Sequence, residues 1–125
     1  MGYAKNLMGA GFSAAQAGST NSSSIKTGIS AAGTTQGTAT AITADINLVS
    51  TVAASSGVQL YNGLTNDSCY VFNDSGVSGN GLLVYPPTSG QINNLAVNAG
   101  VIVPVNTMAE FIKVTSTRWV CILSA

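Results

Sequence analysis

The rhythm of apolar positions along this chain changes near residue 38. From Thr38 onward, large apolar side chains alternate with small or polar ones, and Gly, Pro, Asn and Ser interrupt them every few residues. Ile42, Ala44, Ile46 and Leu48 alternate with Thr43, Asp45 and Asn47. A period of two marks a strand with one buried face. The stretch is therefore expected to bury the four apolar residues and to turn Asp45 outward. Val49 to Val52 prolongs the run through a bulge. Gly57 to Tyr61 starts the next strand, and Asn62-Gly63 is a turn signal. Cys69 to Phe72 is a compact apolar run of the fully buried kind, and Leu82 to Tyr85 is a second run after a polar stretch. These two are expected to pair as a hairpin with a long loop. Pro86-Pro87 ends the second run, because proline cannot donate to a strand ladder.

The densest part of the chain is Gly81 to Val120. Ser89 to Leu95 reads as a loop with Ile92 and Leu95 as buried plugs. Val97, Ala99, Val101, Val103 and Val105 then hold one face in strict alternation, and Pro104 on the opposite face marks an edge strand. Ala109 to Val114 alternates again, with Glu110, Ile112 and Val114 on one side and Phe111 and Lys113 on the other. Arg118 to Leu123 is the last strand, with Trp119, Cys121 and Leu123 on a common face. About seven or eight short strands with turns every eight to twelve residues predict an all-β domain. An antiparallel β-sandwich or barrel, jelly-roll-like, fits this pattern. No internal repeat of fixed period is evident.

Residues 1–36 differ from the rest. They are rich in Gly, Ala, Ser and Thr, and their large apolar side chains are few: Tyr3, Leu7, Met8, Phe12, Ile25 and Ile29. Such a stretch cannot by itself bury enough surface to offset its ordering entropy. It reads as an extended N-terminal arm, a docking segment ahead of a β domain over residues 37–125. Phe12 to Gly18 has the form of one short helical turn, with Ser13 able to cap its start and Gly18 its end. Ile25 and Ile29 are spaced as an anchor, on a helical turn or on alternate sides of an extended segment.

Composition narrows the partners. Charged residues make up 6% of the 125, four basic and four acidic, for a net charge of zero. A typical soluble domain carries about 25%. Surface charge is a main safeguard against association, so this chain suits life inside an oligomer or lattice. Lys5, Lys26, Lys113 and Arg118 are scattered, whereas phosphate recognition needs clustered cations; no nucleic-acid partner is expected. No apolar run approaches the ~20 residues of a membrane helix. The N-terminus lacks the basic start and apolar core of an export signal.

The residues for chemistry are missing. There is no histidine, so no serine or thiol has an imidazole to activate it, and a Cys-His zinc site is excluded. Asp45, Asp67, Asp74 and Glu110 lie in predicted turns or on polar strand faces. No calcium loop or phosphate-cradling glycine motif is present. The expectation is a protein that is not an enzyme and takes no cofactor. Cys69 and Cys121 sit in apolar runs and are expected to be buried free thiols; a disulfide between them is an alternative that sequence leaves open. Glycan binding is a second alternative. Exposed aromatics beside carboxamides and carboxylates grip sugars, and the candidates are Tyr61, Tyr85 and Trp119 with Asn66, Asp67, Asn73 and Asp74. As strand residues, the aromatics are expected to be structural.

Several stretches together resemble a known type of chain. They are Thr38-Ala39-Thr40-Ala41-Ile42-Thr43-Ala44-Asp45-Ile46-Asn47, then Val71-Phe72-Asn73, then Val84-Tyr85-Pro86-Pro87 with Gly90-Gln91-Ile92-Asn93. Val103-Pro104, Ala109-Glu110-Phe111 and Trp119-Val120 follow, and the opening Asn6-Leu7-Met8-Gly9 with Phe12-Ser13-Ala14-Ala15-Gln16-Ala17 precedes them. The succession is similar to small virion proteins of tailed bacteriophages, in particular capsid decoration (cement) proteins. The resemblance implies a β-rich homotrimer on the outer capsid surface of the virion, made in the host bacterial cytoplasm, with the major capsid protein as partner. It implies that Tyr3, Leu7, Met8, Phe12, Ile25 and Ile29 form a capsid-docking arm. The alternative is a head-fibre, tail-fibre or collar subunit that binds a host-surface glycan through Tyr61, Asn66, Asp67, Asn73, Asp74 and Trp119.

Overall fold

Up to its last strand the chain feeds two facing sheets in turn, one strand to each, as a thread winds round a flat card. The computed structural model describes residues 24–76 and 80–124. In chain order the strands are β1 (Ile25–Ser30), β2 (Thr40–Ala41), β3 (Ile46–Thr51), β4 (Gly57–Gln59), β5 (Ser68–Asn73) and β6 (Leu82–Tyr85). Then come β7 (Gln91–Ile92), β8 (Val101–Val103), β9 (Met108–Lys113) and β10 (Arg118–Leu123). A single 3₁₀ turn at Gln36–Thr38 precedes β2. The six-stranded sheet has the order β1-β3-β5-β9-β10-β7, and the four-stranded sheet β2-β4-β6-β8.

The first six strands form three stacked coils. β1, β3 and β5 pair in parallel in one sheet, and β2, β4 and β6 pair in parallel in the other. Backbone bonds continue between coils outside the strands: Ile46 N–H donates to Ser24 O, Tyr70 N–H to Asp45 O, and Leu60 N–H to Tyr85 O. After β6 the pairing becomes mixed, and β7 pairs with β10 in parallel. β9 lies antiparallel to β5, β10 antiparallel to β9, and β8 antiparallel to β6. These strands complete the last coil. The architecture is thus a short two-sheet solenoid with mixed pairing at its far end.

All-β with two sheets agrees with the sequence expectation; the antiparallel, jelly-roll-like arrangement does not. The strands of the coils are parallel, and the runs 69–72 and 82–85 expected to pair as a hairpin lie in different sheets. Turn residues were present at 73–81, but the chain uses them to cross from one sheet to the other. The alternation around residue 46 also shifts. Ile42 and Ala44 are buried in the connection before β3, while inside β3 it is Asn47 and Val49 that point inward. Ile46 and Leu48 face outward, and Asp45 is only half-buried. Leu95 and Val97 are exposed in a turn region, so the valine alternation is a strand only over Val101–Val103. Ile92 is fully buried as expected.

The core lies between the sheets. It contains Ile29, Ile42, Val49, Val52, Val58, Leu60, Cys69, Val71, Leu82, Val84, Ile92, Val103, Phe111 and Trp119. Burying side chains of this size stabilises by roughly 1.5–3 kcal/mol each before entropy is counted. Gly57 permits the close approach of coils: a Cβ there would stand 2.7 Å from Leu83 O. Buried asparagines tie the stack internally. Asn47 Nδ2 donates to Ala44 O at 2.8 Å and Tyr70 O at 3.2 Å. Asn73 Nδ2 donates to Val103 O and Asn80 O.

Of residues 1–36, Tyr3, Leu7, Met8, Phe12 and the predicted helical turn lie outside the described residues. Residues 25–36 belong to the first coil, and Ile25–Ser30 is a strand of the six-stranded sheet.

Candidate functional site

Strict alternation gives the central strands β5 and β9 of the six-stranded sheet an inner and an outer face. In β5, Cys69, Val71 and Asn73 are buried, while Ser68, Tyr70 and Phe72 are half-buried on the outside. In β9, Ala109, Phe111 and Lys113 are buried, with Met108, Glu110 and Ile112 outside. The registers align these outer residues into rows across strands. One row runs Ile25, Ile46, Tyr70, Glu110, Ile122. A second runs Leu48, Phe72, Met108, and a third Ser68, Ile112, Val120.

This outer face is mostly apolar, which is unusual. A sheet packed on one side normally presents polar residues to water on the other. Here the ends of the long row are strongly exposed, Ile25 at 65% and Ile122 at 62%. Contiguous exposed apolar surface of this kind marks an interaction site. Glu110 is the charged group within the rows, and its Oε2 accepts the Tyr70 hydroxyl at 2.9 Å. That bond raises the Tyr70 pKa above the usual tyrosine value and leaves the carboxylate partly satisfied from within the face.

Among the described residues, two of the recesses border the sheets. One, of about 370 Å³, opens between β1 and β2 and is lined by Ile29, Thr40, Ala41, Ile42 and Asn47, among others. The other, of about 410 Å³, lies beside the edge strand β8 and is lined by Gly81, Ile102, Pro104 and Val105. Pro104 follows β8, in keeping with the edge position read from sequence.

The residues singled out in the sequence are dispersed. Ile25 and Ile29 lie on opposite faces of β1, because Gly28 has φ +67° and the register shifts between Lys26 and Ile29. Ile25 faces out and Ile29 is buried. Trp119 and Asn73 are fully buried. Tyr61 meets the Trp119 ring edge-on, with centroids 6.0 Å apart. Asn66 and Asp67 flank the start of β5 and Asp74 its end, so the six candidates are not one cluster. Tyr85 is buried, with its hydroxyl donating to Thr34 O at 3.3 Å.

Three carboxylates, Asp45, Asp67 and Glu110, have local partners. Asp45 Oδ2 accepts Ser24 N–H, and Asp67 Oδ2 accepts Leu64 N–H. Among the described residues no three His, Cys, Asp or Glu side chains come together as a metal site. Both cysteines are free thiols. Burial pushes Cys69 up to about 12 and Cys121 up to about 11, so neither is a nucleophile at neutral pH.

The outer apolar face was visible in the sequence only as runs such as Tyr70-Val71-Phe72, which look fully buried. It needs the fold to show that one half of each run faces out. No protein-family model, curated protein or solved structure matches the chain.

Proposed function

We propose that this chain is a structural assembly protein that associates through the outer face of its six-stranded sheet. The observation that carries this reading is the set of apolar rows, Ile25-Ile46-Tyr70-Ile122 and Leu48-Phe72-Met108. In a chain with 6% charged residues, such a face favours copies packed together over a lone domain in water. Three copies set around an axis bury the rows without leaving an open edge for further growth.

The sequence resemblance gives this assembly its setting. The proposed role is a homotrimeric cement protein on the outer capsid surface of a tailed phage, with the major capsid protein as partner. Many copies on one shell multiply a weak individual contact through effective concentration, and a protein that binds only the assembled shell stabilises it by mass action. A glycan-binding fibre role fits the geometry less well, because it calls for exposed aromatic and carboxamide side chains in one cluster. Trp119 and Asn73 expose no surface.

Antibody-gold labelling of intact virions carrying this protein tests the setting. Dense label over the whole head is expected. Label confined to the tail or to a single vertex, or no label, overturns it. Sedimentation of the purified chain tests the assembly itself: a trimer is expected, and a monomer at every concentration refutes it.

A further inference from the structure

Two buried side chains at the turn between β9 and β10 hold hydrogen-bond donors that the fold does not use. Lys113, the last residue of β9, is buried, and its Nζ gives one N–H to Gly63 O at 2.6 Å. The other N–H groups of this ammonium have no acceptor among the described residues. Trp119 lies across from Lys113 on β10 and is fully buried. Its Nε1–H also has no acceptor there. Both residues line one recess of about 30 Å³. Thr88, Ser89, Ser116 and Thr117 form its exposed rim and carry hydroxyl groups able to turn toward it.

The backbone acceptors around this recess are already engaged. Pro87 O accepts Gly90 N–H, Gly90 O accepts Asn98 N–H, and Thr117 O accepts Gln91 N–H. No Asp or Glu lines the recess. Asp67 neighbours Lys113 across the strands, its backbone O accepting Lys113 N–H, but its Oδ2 is turned to Leu64 N–H at 2.8 Å. The recess is therefore rich in donors and poor in acceptors. Buried donors left in that condition are costly. Water answers such a site poorly, because it brings two hydrogens that need acceptors of their own. An anion only accepts.

We propose that this recess binds one small monatomic anion, such as chloride, between the Lys113 ammonium and the Trp119 indole N–H. The size fits. A single water needs ~10–15 Å³, and about 30 Å³ suits a halide rather than a polyatomic anion such as phosphate. Asn62, at the edge of the recess, can turn its amide N–H groups to the same ion. The ion joins three segments: the 61–64 loop, which Lys113 anchors through Gly63 O, the 87–90 turn and the 114–117 turn. Lys113 and Trp119 belong to the inner side of the six-stranded sheet, so this inference stands apart from the assembly reading, which rests on the outer face.

Trp119 is the sole tryptophan, and its fluorescence reads the site directly. Bromide quenches indole on contact and chloride does not. The full chain is titrated with sodium bromide at constant ionic strength, with sodium gluconate, whose anion is too bulky for the recess, making up the balance. The expected result is a saturable loss of emission that chloride reverses. The ratio of folded to unfolded chain in urea is expected to rise ~10-fold when chloride reaches ten times its Kd. In Lys113→Met the saturable loss is expected to vanish. In Lys26→Met, which alters an exposed lysine of β1, it is expected to remain. A loss that grows linearly with bromide, or no loss, would mean that water alone enters the recess and would overturn the inference. So would a saturable loss that chloride leaves unchanged or that survives Lys113→Met. The titration of the unaltered chain decides even if Lys113→Met does not fold. A chain that sediments as a monomer leaves this result untouched.

Discussion

Asn73 Nδ2 donates to Val103 O at 3.0 Å, and this bond joins the six-stranded sheet to the edge strand of the four-stranded one. The same nitrogen donates to Asn80 O at 3.1 Å, and Asn73 Oδ1 accepts Ser75 N–H at 3.3 Å. The side chain is fully buried. Truncation would leave carbonyls without a donor in a dry place, which costs more than the bonds contribute. Asn73→Ala is expected to lower stability by about 2–4 kcal/mol. Asn73→Asp should be at least as harmful, since an ionised carboxylate cannot donate to either carbonyl. Urea unfolding curves check this; a loss under about 0.5 kcal/mol for Asn73→Ala would show that the junction is held elsewhere.

Lys113 is a buried cation with a defined task. Its Nζ donates to Gly63 O at 2.6 Å and stands 5.9 Å from the centre of the Trp119 ring. The bond anchors the 61–64 loop, and the cation adds an attraction to the indole face. Lys113→Met keeps the stem and removes both interactions. It is expected to cost about 1–2 kcal/mol while Trp119, already enclosed, keeps a blue-shifted emission. A red shift in the folded variant would mean that Lys113 is what keeps water from the ring.

The class of the fold was legible in the sequence, and its topology was not. Strands β5, β6, β9 and β10 were readable within a residue or two, because their apolar runs are bounded by turn residues. Parallel coiling was hidden by uneven coil lengths. Ile25 to Ile46 spans 21 residues and Ile46 to Tyr70 spans 24, while Thr40 to Val58 spans 18 and Val58 to Val84 spans 26. No constant period survives such variation. The alternation before residue 48 misled for a local reason. Asn47 takes an inward place that apolarity alone assigns to Ile46 or Leu48, and it can do so because its amide finds Ala44 O and Tyr70 O. The anchor pair Ile25 and Ile29 was split by the left-handed Gly28, a backbone choice that leaves no apolar signature. What makes the outer face a candidate site is its orientation, and only the strand registers supply that.

The thiols report on the core and set a pH limit. Burial holds both in the neutral form, with Cys69 pushed up to about 12 from 9.0 and Cys121 to about 11 from 9.0. A thiol whose pKa is raised on folding binds its proton more tightly in the native state. Its contribution to stability is therefore full below pH 9, the unfolded value, and is lost as pH rises through the folded values near 11 and 12. Unfolding midpoints are expected to fall above pH 9, and less so in a Cys69→Ala/Cys121→Ser variant. At pH 8 a thiol reagent should label neither cysteine rapidly in the native protein and both in denaturant. Rapid native labelling of Cys69 would contradict its placement in the core.

The outer face predicts a separation of assembly from folding. Phe72 and Ile122 sit in adjacent rows of that face, on β5 and β10, and Ile122 lies across from Glu110. Ile122 is 62% exposed, so replacing it removes little that the single chain buries. A lysine there gains a cross-strand carboxylate, worth at most a few tenths of a kcal/mol to about 1 kcal/mol. Phe72→Thr keeps a residue suited to a strand. The Phe72→Thr/Ile122→Lys variant is therefore expected to fold with a stability loss of no more than about 2 kcal/mol and to sediment as a monomer. Leu64→Ser serves as the control. Leu64 is 78% exposed but lies in the loop before β5, outside the rows, and its loss should leave the oligomer intact. If the double variant still assembles, the contact lies elsewhere, and the recess beside β8 with exposed Ile102 becomes the next surface to alter. If the variant unfolds, the rows act within one chain, and the reading of this face as a surface between copies fails.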